Sequence, residues 1–167
     1  MEPRIGSVNL VVDDVEAAAG FLTALGVALD PVPAEWADWA AHHRSAAAGG
    51  TGTPFGVDLD GRAFARWWGG LGAVPGCGVV VNVHVGEREE VDRLHRRGLG
   101  LGATELKAPH DAFWGARYSV LLAPGPLCVG VMSPRSPDRA GAAPPIGAFA
   151  AAGGTGDQSL AGPGSKR

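Results

Sequence analysis

The residues best suited to hold a polar ligand or move a proton are Ser7, Asn9, Asn82 and His84, each set in a β-branched run. Side chains alternate along a strand, so Val8, Leu10 and Val12 share one face and Ser7, Asn9 and Val11 the other. The same parity groups Val79, Val81, Val83 and Val85 against Val80, Asn82 and His84. The all-valine face must pack against a helix, which leaves the face with Ser7, Asn9, Asn82 and His84 as the expected pocket wall. Polar groups there need hydrogen bonds or water, and the blander alternative is that both asparagines bond only neighbouring backbone. An imidazole titrates near neutrality, so His84 is the expected acid or base if the protein catalyses anything.

Other constellations are weaker. Adjacent strand residues His42 and His43 point to opposite faces and cannot chelate one ion together; they read as edge-strand residues, with His42 able to join Asp58 or His84 if the strands meet. Gly6-Ser7-Val8 lacks the context of a nucleophile elbow. Gly49–Gly52 and Gly98–Gly102 fit neither a phosphate loop nor a dinucleotide fingerprint and read as turns. His95, beside Arg96 and Arg97, reads as solvated. Five tryptophans offer flat surfaces for a planar ligand or fill a core. Trp36 and Trp39, three apart, take opposite faces if their stretch is a strand; Trp36 or Trp39, together with Trp114, is the expected stacking surface. Arg117 is expected to meet an acidic group of a ligand or to form a structural ion pair.

These residues sit in an internal repeat. Residues 8–16 align with 81–89 at a constant offset of 73, each a strand followed by an acidic first helical turn. The first helix is expected over Asp14–Leu25, ended by Gly26, and the second over Glu87–Arg97, ended by Gly98. Strand candidates follow: Glu35–His43, Arg44–Ala48 and Phe55–Leu59, then Ala103–Lys107, Arg117–Leu122 and Leu127–Met132. The expectation is an α+β protein of two pseudo-repeated βαβββ modules, forming curled mixed sheets around a concave site. The first module is residues 1–62, a linker with a short helix 63–77, and the second module 78–134. Residues 135–167, rich in Pro, Gly and Ala, read as a flexible tail with too little apolar surface to offset its ordering, although Pro144-Pro145-Ile146 and Phe149 offer a groove-docking patch.

Composition narrows the class. A net charge of −3 with interspersed signs argues against a nucleic-acid groove. No apolar run approaches the ~20 residues of a membrane span. The N-terminus lacks a signal-peptide pattern, and Cys77 and Cys128 lack a CxxC spacing, so reduced thiols and a cytoplasmic protein are expected.

Residues 5–12, the acidic helix start, Phe21, Leu25-Gly26, the segment Pro109–Tyr118 with its Trp114-Gly115-Ala116-Arg117-Tyr118, and Val129–Pro134 together resemble the vicinal oxygen chelate superfamily of glyoxalases, bleomycin-resistance proteins and extradiol dioxygenases. The likeness covers residues 4–134 and implies a site often completed by a second subunit, hence a homodimer. Metal-dependent members take ligands from positions that correspond here to Ser7, Val80, residues 56–58 and Val129, and of these only Asp58 is a good donor. The resemblance therefore implies a small-molecule-binding protein without the usual metal, sequestering or presenting an aromatic or polycyclic compound, as in antibiotic self-resistance. The alternative is a lyase, isomerase or dioxygenase-type enzyme with a relocated divalent transition metal or with His84 as acid or base. The binding residues expected on this reading are Ser7, Asn9, Trp36, Trp39, Asp58, Asn82, His84, Trp114 and Arg117.

Overall fold

The computed structural model describes residues 2–48, 55–71 and 78–148. Cys77, Phe149, the 49–52 turn and the tail beyond 148 lie outside them. Seven strands form one mixed sheet in the order β2-β3-β1-β4-β7-β6-β5, with β1 Arg4–Val12, β2 His43–Ala48, β3 Phe55–Gly61, β4 Val79–His84, β5 Thr104–Asp111, β6 Arg117–Ala123 and β7 Leu127–Met132. Three helices complete it: α1 Val15–Ala24, α2 Arg62–Gly69 and α3 Arg88–Gly100. The two modules meet where β1 and β4 run antiparallel, while β3 and β7 lie parallel to the first strand of their own module. The protein is α+β, with the sheet left open.

The repeat governs this layout. Shifted back by 73 residues, β6 and β7 fall on β2 and β3, whereas β5 falls on residues 31–38. No strand forms at 31–38, and the expected strand Glu35–His43 is instead led by a 3₁₀ turn, Ala34–Trp39, with His43 opening β2. Pro31 and Pro33 have no N–H to give a ladder; just before them the Asp30 N–H bonds the Ser45 carbonyl at 2.8 Å.

The helices follow their signals closely but not completely. Asp14 caps α1 by accepting from the Ala17 N–H at 2.9 Å, and Gly26 turns the chain at φ +88°. α3 runs through Gly98 to Gly100; Gly98 lies under Leu121, and its missing side chain allows the close approach. His95 on α3 is buried, not solvated, and its Nε2 bonds Glu105 of β5 at 2.8 Å.

The two sheet faces divide as the alternation requires. Val83, Val85, Val91, Leu94 and Val131 pack together beneath α3, and Val15, Ala19, Leu10, Val12 and Leu59 beneath α1. The opposite face carries the largest cluster, with Phe64, Trp68, Val80, Tyr118, Val120 and Cys128. Residues 135–148, assigned to the tail by composition, lie against the body: Ser136 and Gly141 N–H groups bond the carbonyls of Gly115 and Phe113, and Ile146 packs on the main cluster. Gly115 is held at φ +85°, with no room for a side chain beside the Ser136 carbonyl. Cys128 is buried on β7 and disulfide-bonded. That corrects the expectation of two reduced thiols and removes cysteine usage as a ground for a cytoplasmic address. Among the described residues no helix is long and apolar enough to cross a membrane.

Candidate functional site

The concave face of the sheet holds a cavity of about 400 Å³. Its floor is polar. Asn82, 2% exposed, donates to Ser7 Oγ at 3.0 Å and to Asn9 Oδ1 at 2.6 Å, and accepts from the Tyr118 hydroxyl at 2.9 Å. Asn9 passes the chain on, donating to Asp60 Oδ2 at 2.7 Å. Asp60, fully buried, accepts through Oδ1 from His43 Nδ1 at 2.6 Å. His43 Nε2 lies 3.1 Å from Ser45 Oγ, and Ser45 donates to Asp58 Oδ1 at 2.6 Å. A continuous hydrogen-bonded chain thus runs from Tyr118 on β6 across β4, β1 and β3 to β2.

Register makes the second half of this chain. β2 and β3 are antiparallel with His43 opposite Asp60 and Ser45 opposite Asp58, so four polar side chains face the cavity as two cross-strand pairs. The asparagines bond side chains rather than backbone.

Aromatic rings form the opposing wall. Trp36 and Trp39 sit edge to face with centroids 5.6 Å apart. Trp39 meets Phe64 at 5.2 Å and Phe113 at 5.7 Å; Phe113 meets Trp114 at 5.1 Å. The 3₁₀ turn brings Trp36 and Trp39 to the same side, where a strand would have separated them. Phe64 and Trp68 come from α2.

The electrostatics follow from burial and partners. Burial is the largest influence on Asp58 and pushes its carboxyl up, with the Asp60 charge adding to it against the Ser45 hydrogen bond and the His43 and Arg135 charges. For His43 burial is again largest and pulls down, but the Asp60 hydrogen bond and the Asp60 and Asp58 charges outweigh it, so its imidazole is raised. Burial raises Tyr118 well above the phenolic range, which keeps it a donor to Asn82. His84 is lowered by burial and by the charges of Arg4 and Arg135.

Of the residues singled out from sequence, Ser7, Asn9, Trp36, Trp39, Asp58, Asn82 and Trp114 line the cavity. His84 and Arg117 do not. The His84 ring lies over Gly6, where a side chain would collide with it, and its Nε2 lies 3.2 Å from Ser7 Oγ. Arg117 points away and grips Asp92 through two bonds of 2.8 and 2.7 Å, with a third to Asp111 at 2.9 Å. His43, Ser45, Asp60, Phe64, Phe113, Tyr118 and Arg135 also line the cavity and were not singled out from sequence as its lining residues. Parity offered a signal for three of them: His43 and Ser45 share one face of β2, and Asp60 shares one face of β3 with Asp58. It is His43, not His42, that reaches the aspartates.

The donor set does not fit the metal centre the fold implies. Ser7 is occupied by Asn82 and His84, and Val80 is fully buried among apolar groups. Val129 shares the helix-facing side of β7 with Val131, while the cavity side offers Cys128, Gly130 and Met132. Asp58 remains the one carboxylate at those positions, and among the described residues no group of three or more His, Cys, Asp or Glu is arranged to hold an ion.

No family model matches the sequence, and no curated protein matches it significantly. Solved structures do. A glyoxalase/bleomycin resistance protein/dioxygenase superfamily member from Vibrio splendidus 12B01 is 13% identical with a TM-score of 0.51, covering 80% of this chain and 100% of its own. A methylmalonyl-CoA epimerase in complex with methylmalonyl-CoA and NH4+ is 17% identical with a TM-score of 0.50, over 85% of this chain and 100% of that one. A structure named as an NAD-dependent benzaldehyde dehydrogenase from Legionella pneumophila is 13% identical with a TM-score of 0.52, over 76% and 96%. The chain has the vicinal oxygen chelate fold. At these identities the likeness extends to fold alone.

Proposed function

We propose that this protein binds a flat aromatic or polycyclic small molecule in the concave cavity, without a metal, and acts by sequestering or presenting it. The observation that carries the reading is the cavity's two-sided wall. Trp36, Trp39, Phe113 and Trp114 provide ring surfaces for stacking, and the Asn9–Asn82–Tyr118 floor provides oriented polar groups that can set the ligand's register. A volume of about 400 Å³ accepts two or three fused rings and is within the range of small-molecule sites. Antibiotic self-resistance is the biological role this reading favours. Pairing with a second copy belongs to the same reading: β2 and β5 are open sheet edges, and sedimentation of the purified chain checks it.

Titration of the intrinsic tryptophan fluorescence with substituted naphthoquinones and anthraquinones tests the binding. Saturable quenching is expected, with Asn82→Ala and Trp39→Ala each weakening affinity at least ~10-fold, the loss of about one good contact. His84→Ala and Arg117→Ala are expected to change it less than ~3-fold, because neither side chain lines the cavity. Absence of saturable quenching by any member of the set would defeat the reading.

A further inference from the structure

The polar end of the cavity contains more than a ligand-binding site requires. His43 is held by a carboxylate that has no exposure of its own, while the imidazole keeps 36% of its side-chain surface open. Because Asp60 accepts at Nδ1, that nitrogen keeps its proton; with the Ser45 hydroxyl donating to Asp58, Nε2 meets Ser45 Oγ as a donor in the charged ring, and loss of that proton leaves the Nε2 lone pair beside Ser45 on the cavity side. Asp60 is fixed in turn by Asn9, and Asn9 by Asn82, so the carboxylate cannot turn away without breaking the floor. An oriented base beside an apolar, ring-lined space is the arrangement general-base chemistry uses.

We propose that the cavity is also a catalytic site for metal-independent proton transfer, with His43 as general base and Asp60 as its positioning residue, acting on an aromatic ligand that bears an acidic C–H. This rests on the binding reading above. In the step, Nε2 takes the proton, the C–H electron pair moves into a conjugated carbonyl to give an enolate, and the imidazolium returns the proton to another carbon of that enolate. The net change is an isomerisation, with no oxidant, reductant or co-reactant. Asp58, joined to Nε2 through the Ser45 hydroxyl, can share the proton while the enolate exists. His84 has no part in it.

The test uses 5-nitrobenzisoxazole, a flat bicyclic C–H acid. Removal of its ring C–H proton by a base turns the C–H pair into a nitrile and breaks the N–O bond, releasing a coloured phenolate. Turnover is followed by absorbance and binding by tryptophan quenching, for the wild type, His43→Gln and Asp60→Asn between pH 6 and 9. Saturable elimination is expected, reduced at least ~100-fold in kcat by His43→Gln, within the range a positioned base supplies. Asp60→Asn is expected to move the midpoint of the kcat/KM profile to lower pH, because it removes the charge that raises His43. Saturable binding with equal turnover in the wild type and His43→Gln would overturn the catalytic proposal and leave the binding reading standing. Absence of both binding and turnover would overturn both for bicyclic aromatics. If His43→Gln does not fold, the wild-type profile decides: a plateau above one ionisation supports the base, and a rate simply proportional to hydroxide overturns it.

Discussion

Gly130→Ala is the perturbation that probes the cavity floor most directly. Gly130 lies on β7, opposite Asn82 on one side and Val120 on the other, and it is not among the glycines with positive φ. An alanine there would ordinarily gain stability, since glycine in a strand interior carries an entropic penalty of about 0.5–1 kcal/mol. Here a Cβ would overlap both Asn82 Oδ1 and the Tyr118 hydroxyl. Overpacking of a tight interior costs about 1–3 kcal/mol, and breaking the buried Tyr118–Asn82 bond adds about 1 kcal/mol. Set against the backbone gain, the net loss is about 1–3 kcal/mol. In urea, with a slope of about 2 kcal/mol/M, the unfolding midpoint falls by about 0.5–1.5 M. Tyr118→Phe removes the hydroxyl but not the ring and is expected to cost about 1 kcal/mol alone. Combined with Gly130→Ala it vacates part of the space the methyl needs, so the double variant should be more stable than additivity allows, by about 1 kcal/mol. A Gly130→Ala midpoint at or above wild type, or strict additivity in the double variant, would show that the floor is not packed as described.

Further expectations concern charge, metal and periphery. His43 is raised in the folded state, so the native protein holds more protons than the unfolded chain above the ordinary histidine value of 6.5; its stabilising contribution is present below that pH and is lost as pH rises through the folded value. The urea midpoint of the wild type should therefore decline on the alkaline side of 6.5 more steeply than that of His43→Gln, and parallel curves would contradict the Asp60–His43 bond. Arg117→Gln, which breaks the Asp92 and Asp111 pairs on a largely solvated face, is expected to cost about 1 kcal/mol by urea unfolding without changing ligand affinity. Addition of Fe(II), Mn(II), Ni(II) or Zn(II) should leave Tm unchanged, since a ligand that binds only the native state at 100 times its Kd would add about 2.7 kcal/mol; a saturable rise would show that a metal centre forms from residues in positions other than those expected.

What the sequence made legible, and what it hid, divides along physical lines. The offset of 73 carried the equivalence of β1 with β4 and of β2, β3 with β6, β7, because duplicated modules repeat both strand and helix spacing. Period-two alternation separated the valine face from Ser7, Asn9 and Asn82, since one face of a central strand must bury against a helix. The 3₁₀ turn at Ala34–Trp39 was hidden because Trp and Ala at mixed spacing satisfy a strand pattern as well as a turn, while the prolines that forbid the ladder stand just upstream. His84 shows the limit of alternation: it shares the face of Asn82, yet lies at the strand end over Gly6, where the cavity no longer reaches. Arg117 has the correct chemistry for a ligand acid, but Asp92 on α3 is 25 residues away in sequence, and only tertiary packing brings the pair together.

The Asp60–His43–Ser45–Asp58 array shows how a site arises from register without a motif. Neither strand contains a recognisable signature; each contributes two polar residues separated by one, and either pair alone would read as a solvated edge. Antiparallel pairing with His43 opposite Asp60 turns them into a four-membered array on one face, and Asn9 on the next strand supplies the second carboxylate oxygen with a donor. A slip of the β2–β3 register by one residue would turn His43 and Ser45 to the α1 side and break both cross-strand pairs. Arg44 in the observed register sits opposite Leu59, whose side chain packs beneath α1 with Val15 and Ala19. The hydrophobic requirement at Leu59 therefore fixes the register that assembles the polar array, and Leu59→Ala should weaken ligand binding as well as stability. Truncation of a buried leucine costs about 2–5 kcal/mol. If Leu59→Ala lost that stability while Asn82-dependent ligand affinity stayed at the wild-type value, the floor would owe its geometry to β1 and β4 alone.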